Sequence, residues 1–340
     1  MAMIEEKHVD MVLAKLADAM ERYQALLFEP VGTVETAGWP TREHLRLPPD
    51  GNREWKPLKA GDVWGGEWEN LWIKGRFAID EALAGQPLFL QAATGAVEAM
   101  LWVDGMPVGL YNENAGAAYY SLGSHHTLRI TGGAAAGSVL ELALEAYAGH
   151  FCAGCMPADR ETRRPENFLR TYRGLTVCTR REDVLAFVMD LRTLLQLAEC
   201  LPETSFRRAK VRAALVEVSR TLVHMPAERE EEAWRDSLAR ARAIMAEPLS
   251  RKNGPSAPYA ALVGHSHMDT AWLWPVDETI RKCARTYALA LSMMEQYPEY
   301  IFIQSSALHA YWMEKQYPML FQRMQEKVKE GRWEPNGGVW

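Results

Sequence analysis

The sequence predicts a multidomain chain: a β-sandwich, then a helical connector, then the start of an α/β (β/α barrel-like) domain. Three observations carry this reading. Between residues 64 and 147 apolar residues recur at every second position, between 181 and 249 they recur at three and four, and after 259 the two periods alternate. A chain of 340 residues has room for two or three domains. With 48% hydrophobic and 24% charged residues it has the balance of a folded chain rather than a disordered one.

Residues 1–55 read as an N-terminal helix and an extended lead-in. Met11, Leu13, Leu16, Met20 and Leu26 keep helical spacing, with charges between them. The basic start, apolar core and small-residue cleavage site of a signal peptide are missing. No apolar run approaches the roughly 20 residues that span a bilayer. The formal charge of −6 offers no basic face for nucleic acid. A cytoplasmic protein with neither membrane nor nucleic acid as partner is therefore expected, with nothing against homo-oligomerisation.

Residues 56–180 are expected to form the sandwich. Leu71-Trp72-Ile73-Lys74-Gly75-Arg76-Phe77 is rich in aromatic and β-branched residues, and Leu140, Leu142, Leu144 and Ala146 alternate. Asp104-Gly105, between two apolar runs, supplies the backbone freedom of a tight hairpin turn.

Residues 181–249 form the helical connector. Val184, Leu185, Val188, Leu191, Leu195 and Ala198 mark one helical face, and Val211, Leu215, Val218 and Leu222 another. Pro202 and Pro226 fall where helices should break. Residues 250–258, rich in turn formers, are the linker. From 259 to 340 the order is a strand at Tyr259–Val263, a helix at Val276–Gln296, a strand at Ile301–Ile303 and a helix at Leu308–Glu330. Gly331 stands where a helix C-cap belongs, and Gly337-Gly338-Val339-Trp340 opens a further strand. This rhythm predicts parallel strands with crossovers, and two such units cannot close a barrel.

Five cysteines make an odd, sparse set that argues against a disulfide framework. Cys152 and Cys155 have the spacing of half a zinc site, yet no second pair accompanies them. They are expected to be ordinary, partly buried thiols.

The chemistry concentrates in Gly264-His265-Ser266-His267-Met268-Asp269-Thr270-Ala271-Trp272. In extended backbone His265, His267 and Asp269 point to one side, so all three can converge on one metal. Imidazole and carboxylate donors suit zinc, and they also accept cobalt or manganese. Their place at a strand end agrees with where parallel α/β folds gather their sites.

Residues 264–340 closely resemble the opening of the catalytic domain of glycoside hydrolase family 38, the α-mannosidases. The resemblance rests on His265-Ser-His267-Met-Asp269-Thr-Ala-Trp272-Leu-Trp274-Pro-Val-Asp-Glu278-Thr and on Arg281-Lys-Cys-Ala-Arg285-Thr. It continues through Gln304-Ser-Ser, Tyr317-Pro and Glu330-Gly-Arg-Trp333-Glu334-Pro-Asn-Gly337-Gly338-Val-Trp340. Asn70-Leu-Trp72-Ile-Lys-Gly75-Arg-Phe77 and Val103-Asp104-Gly105 resemble the accessory sandwich of cytosolic and bacterial members, a weaker match.

The resemblance implies zinc-dependent, retaining hydrolysis of terminal α-mannose in oligosaccharides. His267 and Asp269 would be metal ligands, with His265 a neighbour that orients the site by hydrogen bonding. Trp272 would be the platform beneath the sugar, set against the alternative of a core Trp, and Trp274 would be structural. The family's nucleophile, acid/base and remaining ligands fall after Trp340, so the chain is expected to be an amino-terminal portion without activity of its own. Asp277 and Glu278 read as first-turn acids favoured by the helix dipole, and Glu334 as a structural or rim residue. Two alternatives stand beside this: hydrolysis of a mannosyl conjugate such as mannosylglycerate, and a non-catalytic carbohydrate-binding protein built on the Trp-rich sandwich.

Overall fold

The computed structural model describes residues 2–112, 126–151 and 165–339. It divides into two compact units, residues 1–29 with 179–260 and residues 30–178 with 261–340. Cys152 and Cys155 lie outside the described residues.

The first unit consists of α1 (Ala2–Ala25), α2 (Glu182–Cys200), α3 (Phe206–Thr221) and α4 (Glu231–Ser250). Leu16, Tyr23, Phe187, Leu191, Leu215, Val218, Trp234 and Leu238 share its core. Tyr23 meets Phe187 edge-on at 5.2 Å and donates its hydroxyl to the Val223 carbonyl at 2.7 Å. Pro202 follows the end of α2, and Pro226 opens a short 3-10 turn, so both interrupt helix where the missing N–H requires. The Ser205 side chain accepts from the Arg208 amide and caps α3. Residues 1–55 hold the expected helix followed by extended chain, and the two fall in different units. The helix closes the bundle of the connector, and the residues after it supply strands to the sandwich.

In the second unit a six-stranded sheet runs in the order β3 (Lys56–Leu58), β2 (Thr36–Thr41), β5 (Asn70–Ala78), β10 (Val139–Tyr147), β7 (Glu98–Val103), β8 (Met106–Asn112). A four-stranded sheet runs β1 (Phe28–Thr33), β12 (Gly174–Arg180), β6 (Leu88–Ala93), β9 (Thr127–Thr131). The short strands β4 (Val63–Trp64) and β11 (Arg170–Thr171) pair with each other. Asp104 and Gly105 join β7 to β8 with φ of 50° and 76°, the two left-handed positions that a type I′ turn demands.

The larger sheet is buried on both faces, and the period of two decides which residue goes where. Leu71, Ile73, Leu101, Leu142 and Leu144 enter the core shared with Leu88, Leu90, Leu175 and Val177 of the smaller sheet. The intervening Trp72, Met100 and Trp102 face the other way, into a core formed with the helices that follow residue 275. The sandwich tryptophans Trp64, Trp72 and Trp102 are therefore core residues, which removes them as sugar platforms.

Those later elements are β13 (Gly264–His265), α5 (Val276–Gln296), β14 (Phe302–Ser306), α6 (Ala307–Gln316), α7 (Pro318–Lys329) and β15 (Trp333–Val339). The three strands pair in parallel, Gly264 with Phe302 and Phe302 with Trp333. Two expectations need correction. Tyr259–Val263 forms no strand, and pairing begins only at Gly264; Tyr259 and Leu262 are exposed, with no neighbour to hold them extended. The single helix at 308–330 is two helices, because Pro318 disfavours helical backbone at Tyr317 (φ −136°, ψ 60°). Gly331, at φ 72°, ends α7 as a left-handed cap.

Candidate metal and sugar site

β13 ends at His265, and the chain then crosses residues 266–275 without regular structure before entering α5. The alternation of side chains continues into this loop as far as Met268. Ser266 and Met268 line a cavity of about 20 Å³ with Tyr287, Gln304 and His309, whereas His265 and His267 are exposed.

His267 Nε2 lies 3.2 Å from Asp269 Oδ1. Two donors about 2.0–2.1 Å from one tetrahedral zinc stand about 3.3 Å apart, so this pair fits zinc in both type and spacing. The pair supplies two of four positions, and no group of three or more His, Cys, Asp or Glu gathers for a metal among the described residues. His265 is turned away from the pair, its Nδ1–H donating to the Ile303 carbonyl of β14 at 3.2 Å. The structure therefore brings together two of the three residues that periodicity aligned. Trp272 is 59% exposed, outside the cores formed by the described residues.

The exit of the loop is stapled. Thr279 in the first turn of α5 donates its hydroxyl to the Thr270 carbonyl at 2.8 Å and accepts from Trp274 Nε1 at 3.0 Å. The Lys282 ammonium lies 5.0 Å over the Trp274 ring. Trp274 is thus a half-buried structural residue.

The acids of that first turn are not solvated ends on a dipole, as the sequence suggests. Glu278 is fully buried and pairs with Arg281 at 2.8 Å and Arg285 at 2.9 Å. Arg281 also reaches Glu145 at 2.8 Å and donates to the Asn70 side-chain carbonyl; Arg285 reaches Glu98 at 2.8 Å. Lys282 pairs with Glu98 at 2.6 Å. Three carboxylates thus face three cations, and the cluster is neutral. Asn70, Glu98 and Glu145 stand on adjacent strands, in register and on the face that turns to α5: Tyr147 aligns with both Asn70 and Glu98, and Glu145 with Trp72 and Met100. Burial would raise the Glu98 carboxyl, but Lys282 and Arg285 overcome it and hold it down at about 2. Burial likewise opposes the Arg285 charge, and Glu278, Glu145 and Glu98 more than restore it. Asp277 is engaged separately by His44 and Arg46, which lower its carboxyl against the effect of burial. Glu334 is exposed.

One buried group had no signal in the sequence reading. His309 of α6 sits 2.9 Å from the Thr270 hydroxyl, and burial lowers its pKa. A histidine amid a helical pattern looks like any other helix residue until the tertiary fold sets it against the loop.

Residues 258–340 match the family described as glycosyl hydrolases family 38 N-terminal domain, and residues 33–162 match the α-mannosidase jelly roll domain. The chain is 31% identical over 311 residues to "Alpha-mannosidase 2C1" of Homo sapiens, covering 88% of this chain and 27% of the relative. It is 25% identical over 291 residues to "Alpha-mannosidase G" of Dictyostelium discoideum, covering 84% of this chain and 25% of the relative. The chain spans about a quarter of the length of these curated relatives. Among solved structures, a Faecalibacterium prausnitzii β-glucuronidase aligns at a TM-score of 0.30 and 12% identity, over 45% of this chain and 32% of that one.

Proposed function

We propose that this chain is the amino-terminal portion of a glycoside hydrolase family 38 α-mannosidase, an enzyme that hydrolyses terminal α-mannose in glycans. The relatives named α-mannosidase, matched over 84–88% of this chain, support the substrate class. The observation that carries the site is the His267–Asp269 pair, 3.2 Å apart on a loop that also exposes Trp272.

In this reading His267 and Asp269 hold a zinc ion, completed by donors outside residues 1–340. The metal supplies a Lewis-acid anchor for adjacent sugar hydroxyls. Trp272 offers its ring to the C–H face of the mannose and sets the depth at which the sugar enters. Retention requires two carboxyl groups about 5–5.5 Å apart, one nucleophile and one acid/base. We assign both to residues beyond Trp340, and residues 1–340 alone are inactive. The three parallel strands and their helices are the opening of a larger barrel-like sheet that completes the cleft.

The test uses a polypeptide that carries these residues together with the rest of the mannosidase domain. Aryl α-mannoside should be cleaved with retention, seen as α-mannose forming first by proton NMR, and chelation should abolish turnover until zinc is restored. Full activity in Asp269→Asn, or in residues 1–340 alone, would sink the proposal.

A further inference from the structure

His309 is buried and polar, and the chemistry above makes no use of it. Its hydrogen bonds form a directed chain. The Ser306 amide donates to Gln304 Oε1, which fixes the orientation of that side-chain amide. Gln304 Nε2 then donates to His309 Nδ1 at 3.0 Å, and the Tyr287 hydroxyl faces the same nitrogen at 3.2 Å. With Nδ1 accepting, the ring proton resides on Nε2, 2.9 Å from Thr270 Oγ1. The Trp312 ring stacks on the imidazole at 5.5 Å and sets its plane. Thr270 follows Asp269 directly and lies two residues before Trp272. Its carbonyl is already held by Thr279, so the loop is gripped at one residue through main chain and side chain together.

We propose that His309 is a positioning residue: its Nε2–H, acting through the Thr270 hydroxyl, fixes the loop that presents Asp269 to the metal and Trp272 to the sugar. The reason is geometric. Residues 266–275 belong to no helix or strand, so side-chain bonds must do what a ladder would do elsewhere. A ligand-bearing loop held from behind loses less freedom when it takes up metal, as second-shell partners do generally. Gln304, Tyr287 and His309 also close the cavity under Ser266 and Met268, so the same three groups support the opposite side of the loop.

The inference rests on the metal and sugar reading of this loop, and two readouts on the 340-residue chain keep the two apart. The first is chymotryptic cleavage after Trp272, measured against cleavage at exposed Phe206 in the other unit as an internal control. His309→Met and Thr270→Val should each speed cleavage at Trp272 about tenfold and leave Phe206 unchanged. His309→Gln, which keeps an N–H near the Nε2 position, should return most of the way to wild type, and the Met/Val double variant should be no worse than either single one. The second readout is cobalt(II) affinity, followed by paramagnetic shifts of the His267 ring; it should fall about 10–100-fold in the Met and Val variants. Unchanged cleavage in both single variants, or simple additivity in the double, overturns the positioning role. Should His309→Met fail to fold, Thr270→Val alone decides. A wild-type chain that takes up no cobalt yet shows the cleavage pattern leaves the positioning role standing, and the metal reading falls if the polypeptide carrying the rest of the mannosidase domain also takes up none.

Discussion

Arg281 of α5 and Glu145 of β10 pair at 2.8 Å with almost no solvent on either side chain. One partner belongs to the sandwich and the other to α5, the helix that follows the 266–275 loop, in a single compact unit. Buried charges are tolerated only where their partners stand ready, so this pair and its neighbours allow one register between sheet and helix. The sandwich is for that reason packed as one unit with α5.

Removing one member of the cluster should be costly. Arg281→Met leaves the buried Glu145 and Glu278 with Arg285 in place of two shared cations and should lower the stability of this unit by about 3–5 kcal/mol. Urea unfolding followed by near-UV circular dichroism measures it. A loss under 1 kcal/mol would mean that the two carboxylates find other partners or take up protons.

Glu98 predicts the acid limb of stability. Its folded pKa of about 2 lies below the ordinary 4.5, so its contribution is complete above about 4.5 and disappears as pH falls toward 2. Glu98→Gln should therefore flatten the dependence of melting temperature on pH within that window. At neutral pH the variant should be the less stable protein, because Lys282 and Arg285 lose their counter-charge. Parallel melting curves for both proteins from pH 5 to pH 2 would contradict this.

Two tryptophans should behave oppositely. Trp102, 2% exposed between the sheet and the helices, should cost about 3–5 kcal/mol when replaced by Ala. Trp272, 59% exposed, should leave the melting temperature within about a degree when replaced, while weakening mannoside binding in the completed enzyme about tenfold or more. Calorimetry and KM separate the two effects.

The thiols should differ in reactivity. Burial raises Cys283 to about 12 and Cys178 to about 11, whereas Cys200 is exposed. Brief iodoacetamide treatment at pH 8, read by peptide mapping, should label Cys200 at least tenfold faster than Cys178 or Cys283. Equal labelling would show that the unit opens readily in solution.

The sequence by itself determined most features that depend on neighbours along the chain, the helix break at Pro318 being an exception. The period of two in Leu140, Leu142 and Leu144, the Asp104-Gly105 turn, the bounds of α5 and the Gly331 cap all follow from local backbone preference and alternation. The same reasoning aligned His267 and Asp269 with His265, since residues two apart share a side of extended chain, and the family resemblance singled out the pair. Periodicity could not say that His265 would leave them, because the carbonyl that captures it belongs to Ile303 on another strand. Nor could it say that α1 would close the bundle, that Glu278 would be buried among arginines, or that Trp72 and Trp102 would pack on helices rather than face solvent. Each of these was settled by which surface the fold brought against which. His309 belongs to the same class: an imidazole has several uses, and only its four neighbours in space choose among them.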